Sequence, residues 1–371
     1  MTLSTASILF IIGVLIVAAL VLYRWLGGAS LAHYDRGYPK PIAGDPPSRE
    51  LHSALQAVEA FTAASGGGRL SPDKVRRLRA AMDNIGADKA CASIIRSSAA
   101  DEPRGEWVLA ANANPDCRLL YIHGGGFIAG SPTSHRAVTD GLSELTGMAV
   151  FSLDYRLVPE NARLAGLEDA VAALQWLGHN GPDGASDART LAVAGDSAGG
   201  NLTLATLQEA RKRGIRNADA AVAICPATDM TLEAPSLRYN IDSDAMLGKS
   251  FGPLAKTPAA VRHVVLGVAG KRPPKDPAMS PLRGDLSGLP PVLLQASTTE
   301  MLLDDSARYH HKALEEGADV EFETYANMPH VWHLFYPELP EARIALQHIA
   351  DFLARKGCCA LQSEPPAGAV A

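Results

Sequence analysis

From Gly105 to Lys356, short apolar runs alternate with stretches whose apolar residues recur every three or four positions. Glu106–Ala111, Arg118–His123, Ala149–Asp154, Thr190–Ala194, Ala220–Ile224, Val292–Ala296 and Val320–Tyr325 read as strands. Helical periodicity falls near His135–Thr146, Leu167–His179, Ala198–Arg213, Asp304–Glu316 and Pro340–Lys356. This alternation predicts a mainly parallel sheet with helices on both faces, an α/β fold. Residues 230–275 break the rhythm and read as an insertion over the sheet. Upstream, Ser48–Ala64 and Ser71–Met82 read as two more helices. Ser71 is placed as the N-cap of the second and Pro72 as its first residue. That helix sets Val75, Leu78 and Met82 on one face and Lys74, Arg76, Arg77 and Arg79 on the other. The basic face is expected to be the solvated side of a lid helix, or a contact with an anionic membrane surface.

The first segment has neither period. Residues 1–23 carry no charged side chain, and Ile8–Leu22 is almost continuously apolar. The stretch is long enough to cross roughly 30 Å of hydrocarbon as a helix, with Arg24 and Trp25 at the interface. Residues 1–26 are therefore expected to be a single-pass membrane anchor. The alternative is a signal peptide cleaved near Ser30-Leu31-Ala32, with the protein secreted, although the basic start of such a peptide is missing. The lone flanking cation, Arg24, favours a cytoplasmic location for the rest of the chain. Residues 27–47, rich in Gly and Pro, read as a linker. The folded domain is expected over 48–356, with a cap drawn from 48–96 and 230–275. Residues 357–371 read as a disordered tail.

The composition, 47% hydrophobic and 20% charged, fits a globular protein with a large core. A net charge of −6 argues against a nucleic-acid partner. The five cysteines (Cys91, Cys117, Cys225, Cys358, Cys359) show no metal-binding or redox spacing, so free thiols in a reducing compartment are expected.

The chemistry concentrates in three places. Gly195-Asp196-Ser197-Ala198-Gly199-Gly200 fits G-x-S-x-G, with a strand before it and a helical pattern after it. A serine hydroxyl needs exposure and a neighbouring base to act as a nucleophile, and the sharp strand-to-helix turn provides the exposure. Second, His123-Gly124-Gly125-Gly126-Phe127 follows the strand ending at Ile122. The backbone N–H groups of Gly125, Gly126 and Ala198 form the candidate oxyanion hole. Third, His330 lies in the loop after the strand Val320–Tyr325 and is the candidate base. His333 is its rival, and the two could form a His-x-x-His metal pair. His310 and His311 are expected to be solvated. The acid follows the strand Val292–Ala296, with Glu300, Asp304 and Asp305 as candidates. Glu300 is nearest the strand end, and Asp304 looks like a helix N-cap.

These residues resemble the hormone-sensitive-lipase family of α/β-hydrolases, which includes bacterial esterases and arylacetamide deacetylases. Asp154-Tyr155-Arg156-Leu157-Val158-Pro159-Glu160, Leu167-Glu168-Asp169-Ala170 and Asp276-Pro277-Ala278-Met279-Ser280-Pro281 add to the likeness, which runs from about Ser48 to Lys356. The resemblance implies an eight-stranded α/β-hydrolase fold with a helical cap and no cofactor. It also implies hydrolysis of short- to medium-chain acyl esters by Ser197, His330 and an acid. The family acid is usually aspartate, and here Glu300 takes its position. The family also usually carries Phe-Pro before the Leu-Glu-Asp-Ala helix, where this chain reads Asn161-Ala162-Arg163-Leu164-Ala165-Gly166. The expected function is therefore a serine carboxylester hydrolase acting on a small-molecule ester, a lipophilic one if the anchor holds. An amidase or lactonase would use the same triad, and a non-catalytic ligand-binding homologue is the reading outside enzymology.

Overall fold

A computed structural model of the protein describes residues 4, 10–14, 17, 21, 24–65, 71–87, 89 and 91–358. Eight strands form one sheet: β1 (Ile94–Ser97), β2 (Gly105–Leu109), β3 (Asn114–Ile122), β4 (Met148–Leu153), β7 (Thr190–Asp196), β8 (Ala220–Ile224), β9 (Val292–Ser297) and β10 (Val320–Tyr325). A separate two-stranded turn holds β5 (Asn180–Gly181) and β6 (Gly184–Ala185). The sheet order is β1-β2-β4-β3-β7-β8-β9-β10. Pairing is parallel from β4 to β10, while β2 pairs antiparallel with both β1 and β4. Of the eight, β1 has no counterpart among the strands read from the pattern. It has four residues, three of them exposed, so it carries no apolar run to recognise.

The period of two along the central strands divides their side chains between two cores. Leu120, Ile122, Leu191, Val193 and Leu294 face one side, with α4 (Ala165–Leu177), α5 (Ala198–Arg213) and α9 (Leu303–Glu315). Leu119, Tyr121, Ala192, Ala194 and Leu293 face the other, with α1 (Leu51–Ser65), α3 (Arg136–Thr146) and α10 (Pro340–Arg355). Because both faces are covered, these strands are apolar on both sides for most of their length. Helix α2 (Pro72–Ala87) begins as its sequence requires, with Ser71 Oγ accepting the N–H of Lys74 at 3.2 Å. Val75 and Met82 are buried. On its basic face Arg79 is not simply solvated. It donates to the carbonyls of Ile128 (2.8 Å) and Val158 (3.2 Å) and pairs with Glu160, so α2 is clamped beside the glycine loop.

Residues 230–275 contain α6 (Ser236–Tyr239), α7 (Gly248–Ala255) and α8 (Ala259–Gly270). The stretch 27–47 runs along the sheet edge. The N–H of Ile42 donates to Thr324 O at 2.8 Å, that of Ala326 to Ala43 O at 2.8 Å, and Arg308 pairs with Asp35. At the C-terminal end Cys358 is buried and its carbonyl accepts from Thr190 Oγ1. The rest of the expected tail, 359–371, lies outside the described residues, as does most of the expected anchor over 1–26. Among the described residues no helix is long and apolar enough to cross a membrane.

Candidate active site

Ser197 sits between the end of β7 and the start of α5, with φ 53° and ψ −115°. A non-glycine residue held there costs of order 1–3 kcal/mol, which the surrounding bonds must offset. The Ser197 N–H donates to Ile224 O at 2.8 Å, and Ser197 O accepts from Asn201 N at 3.0 Å. The flanking glycines are steric requirements. A Cβ at Gly199 would run into the carbonyl of Ile122, and one at Gly195 would stand 2.6 Å from the carbonyls of Gly199 and Ile122. The turn leaves Ser197 partly exposed while its neighbours are buried.

Three segments meet at this hydroxyl. Nε2 of His330 lies 2.8 Å from Ser197 Oγ, and Nδ1 of His330 lies 2.5 Å from Glu300 Oε2. The other Glu300 oxygen accepts the N–H of Ser297 at 2.9 Å. Glu300 and His330 are both buried. Burial alone disfavours the imidazolium, but the hydrogen bond and charge of Glu300 outweigh it and raise the His330 pKa above the ordinary histidine value. The loop carrying Glu300 is held by the 230–275 segment. Asn240 Nδ2 donates to Thr298 O (3.1 Å) and Glu300 O (2.9 Å), and Asp244 accepts the N–H of Met301 at 2.8 Å. Ser297 Oγ and Thr299 Oγ1 both donate to Met328 O, joining the acid's loop to the base's loop.

The other candidates are occupied elsewhere. His333 is buried with Nε2 2.8 Å from Gln295 Oε1, and burial pushes its pKa down to about 3. It therefore forms no metal pair with His330. Asp305 is buried and accepts the N–H groups of Thr228 and Asp229. Asp304 is not an N-cap. Helix α9 starts one residue earlier, at Leu303, with no side-chain cap, and Asp304 instead accepts the N–H of Ser236 at 2.7 Å. His310 and His311 are half-buried rather than solvated. His310 packs on Phe322, and His311 Nε2 donates to Gly37 O at 2.9 Å. The Sγ of Cys225 lies within 4.8 Å of the Glu300 and His330 ligand atoms. Burial first, then the Glu300 charge, hold this thiol well above its ordinary pKa, so it is neutral.

Beside the hydroxyl lies the glycine loop. Gly125 (φ 109°) and Gly126 (φ 62°) both occupy backbone regions that favour glycine. Among the described residues no protein acceptor takes the N–H of Gly125, Gly126 or Ala198, so all three can serve a ligand oxygen. Asp196, to which the sequence reading gave no role, fixes this loop. Its Oδ1 accepts from Gly124 N (3.0 Å) and Tyr121 Oη (2.8 Å), and His135 Nε2 stands 3.2 Å away. Burial disfavours the carboxylate, but His135 and Tyr121 outweigh it and keep its pKa low.

A second residue without an assigned role is Arg163, in the stretch where the family pattern carries Phe-Pro. Its guanidinium lies 3.2 Å from the centre of the Phe127 ring, and Nη2 donates to Asn201 Oδ1 at 2.9 Å. The residue is only 8% exposed, and its Nε and Nη1 have no hydrogen-bond partner. Burial pulls its pKa down to about 9. A buried ion without a counter-charge costs several kcal/mol, whereas leaving Asn201 Oδ1 without its donor costs about 1–3 kcal/mol. Arg163→Phe is therefore expected to raise the Tm by a few degrees in a thermal melt. A lower Tm would show that the contacts with Phe127 and Asn201 outweigh the burial of charge.

Residues 119–334, more than half of the chain, match the family model described as alpha/beta hydrolase fold. An acetyl-hydrolase of Streptomyces hygroscopicus is 38% identical over 249 residues, covering 67% of this chain and 78% of its own length. An esterase of Acinetobacter venetianus is 34% identical over 252 residues, covering 67% and 78%. A solved esterase from the bacterial hormone-sensitive lipase family superposes with a TM-score of 0.70 at 32% identity, over 83% of this chain and 98% of that one. The esterase EstE5, soaked with p-nitrophenyl butyrate, gives a TM-score of 0.70 at 30% identity, over 83% and 99%. With this sheet order, this strand–turn–helix around a serine and these relatives, the chain belongs to the hormone-sensitive-lipase family of α/β-hydrolases and is a serine carboxylester hydrolase.

Proposed function

We propose that the protein hydrolyses short- to medium-chain acyl esters, with Ser197 as nucleophile, His330 as general base and acid, and Glu300 as the carboxylate that orients the base. The observation that carries this reading is the hydrogen-bonded row from Ser197 Oγ through both ring nitrogens of His330 to Glu300, next to three uncommitted backbone N–H groups. Ser197 Oγ attacks the ester carbonyl carbon as its proton passes to His330 Nε2. The charge that builds on the carbonyl oxygen is met by the N–H groups of Gly125, Gly126 and Ala198, each donor being worth about 3 kcal/mol. The tetrahedral intermediate collapses, the C–O bond to the alcohol breaks, and His330 gives its proton to the departing oxygen. A water then attacks the acyl-enzyme with the same base, releasing the acid and restoring the serine.

The first 26 residues are proposed to tether this domain to a membrane, with the catalytic domain on the cytoplasmic side. Supporting this, Phe10, Val14, Val17 and Val21 are 74%, 52%, 60% and 63% exposed, apolar surface that water does not favour. Such a tether suits a lipophilic ester.

Two measurements on the full chain in mild detergent test the reading. A fluorophosphonate is expected to add once, at Ser197 by peptide mapping. Among p-nitrophenyl esters, acetate to octanoate are expected to be cleaved and palmitate poorly. No labelling, with negligible rates on every ester, would leave a ligand-binding role; faster cleavage of matched anilides would make it an amidase. Extraction of the chain from membranes by carbonate would remove the tether.

A further inference from the structure

Helix α8 carries its polarity on the opposite side from an ordinary surface helix. The outward positions are Ala260, Val261, Val264, Val265, Val268 and Ala269, one stripe at the helical repeat. The four valines are 52%, 41%, 49% and 74% exposed, and no charged side chain interrupts them. The helix's ionisable residues, Arg262 and His263, are both buried. Arg262 donates inward to the carbonyls of Thr231 (3.2 Å), Ala255 (3.2 Å) and Thr257 (2.7 Å), and His263 faces Glu233 at 3.4 Å. An amphipathic surface helix puts its apolar side on the core and its charges in water. In α8 the charge is in the core and the valines are outside.

The surroundings of the stripe indicate what it faces. The N-terminal apolar segment leaves the domain alongside it. Leu26 Cδ2 would lie 3.5 Å from a Cβ placed on Gly267. Lys275 N donates to Leu26 O at 3.1 Å and Lys275 Nζ to Arg24 O at 3.4 Å. The described residues of that segment, Phe10, Val14, Val17 and Val21, are exposed, as the four valines are. Charge is segregated as well. From Met246 to Lys275 there are six basic residues (Lys249, Lys256, Arg262, Lys271, Arg272, Lys275) and no acidic one, in a chain of net charge −6. Lys256 and Lys271 are exposed just beyond the two ends of α8. An apolar stripe bounded by lysines, beside the exit point of an apolar segment, matches a helix lying in the interface of an anionic bilayer.

We propose that α8 is a second membrane contact, lying in the plane of an anionic lipid surface with its valines in the acyl boundary and Lys256 and Lys271 at the headgroups. Two attachments fix the rotation of the domain about its tether, which a single anchor leaves free. The proposal rests on the membrane tether and adds to it a lipid-facing surface on the folded domain.

A probe on the stripe tests it in the full chain. An environment-sensitive fluorophore is placed at Val265→Cys in a chain with Cys91→Ser and Cys359→Ser. The labelled protein is then mixed with vesicles of phosphatidylcholine alone or with phosphatidylglycerol added, and flotation is measured in parallel. Co-flotation, a blue shift and quenching by nitroxide carried on shallow acyl positions are expected, more strongly with phosphatidylglycerol. Lys256→Glu with Lys271→Glu is expected to lose that lipid preference while the chain still floats. Co-flotation with a label that stays in water overturns the α8 contact and leaves the tether standing. A blue-shifted label that lipid nitroxide does not quench shows the stripe covered by protein, a second copy included, and also overturns it. Failure to float on either vesicle removes tether and contact together.

Discussion

Replacing Ser197 with alanine is expected to lower kcat for p-nitrophenyl butyrate by about 10⁶-fold, as loss of the nucleophile does where a triad acts as one unit. The change removes one oxygen and leaves the rest of the site in place. The three N–H donors of Gly125, Gly126 and Ala198 persist, so a residual rate of about 10³–10⁴ over the uncatalysed reaction is expected from the oxyanion pocket and binding alone. Folding is barely affected. Alanine at φ 53° is strained as serine is, and the backbone bonds of residue 197 to Ile224 and Asn201 do not involve the side chain. The Tm is therefore expected to stay within about 1 °C or to rise slightly, since active-site geometry is held against stability. Fluorophosphonate labelling is expected to vanish with the activity. A variant that keeps more than about 1% of wild-type turnover with an unchanged substrate profile would move the nucleophile elsewhere, because no second serine in such a site replaces a 10⁶-fold loss.

How much of this was legible before the structure follows from where the information lies. The central strands and the flanking helices are recorded locally, in runs and repeats, and their observed bounds differ from the sequence reading by only a few residues. The G-x-S-x-G turn is also local. A Cβ at Gly195 or Gly199 meets backbone within the same crossing of strands, so the glycines announce the geometry. Glu300 and His330 are 30 residues apart; chain order after a strand put each among a few candidates, His333 and Asp304 or Asp305 being the others, and the family resemblance set Glu300 in the position of the acid. What separates the two histidines is Gln295 on β9, which takes His333 Nε2, and a contact across a sheet leaves no mark on spacing. Asp196, Asn240 and Asp244 were missed for the same reason. Each acts on a loop far away in sequence: Asp196 on Gly124, and the other two on residues 298–301. The inward Arg163 was visible as a departure from the family pattern, but its position against Phe127 was not. Edge strand β1 was missed because its stabilisation is pairing with β2, not burial of its own side chains.

The carboxylate carries the second large effect. Glu300→Gln is expected to lower kcat by about 10⁴-fold, the scale seen when a triad acid becomes an amide. The reason is tautomeric. Glutamate accepts the Nδ1–H of His330 and so leaves Nε2 free to take the serine proton. An amide nitrogen at that position donates to Nδ1 instead, which puts the ring hydrogen on Nε2, facing Ser197. The pH profile separates this from a general loss of structure. In the wild type the His330 pKa is raised above the ordinary histidine value, Glu300 outweighing burial. The base must be neutral to act, so kcat/KM rises with pH through that raised pKa, and the acid limb lies above the ordinary histidine value. Without the negative charge, burial dominates and favours the neutral ring, so the limb of the glutamine variant shifts to lower pH even as the plateau falls. Glu300→Asp keeps the charge but shortens the arm. It can no longer hold both Ser297 N and His330 Nδ1, and a misplacement of about 1 Å costs roughly 10²-fold. Its acid limb is expected to stay close to the wild-type position. If the glutamine variant instead shows a wild-type limb, Glu300 and His330 do not titrate together, and the acid that orients the base lies elsewhere.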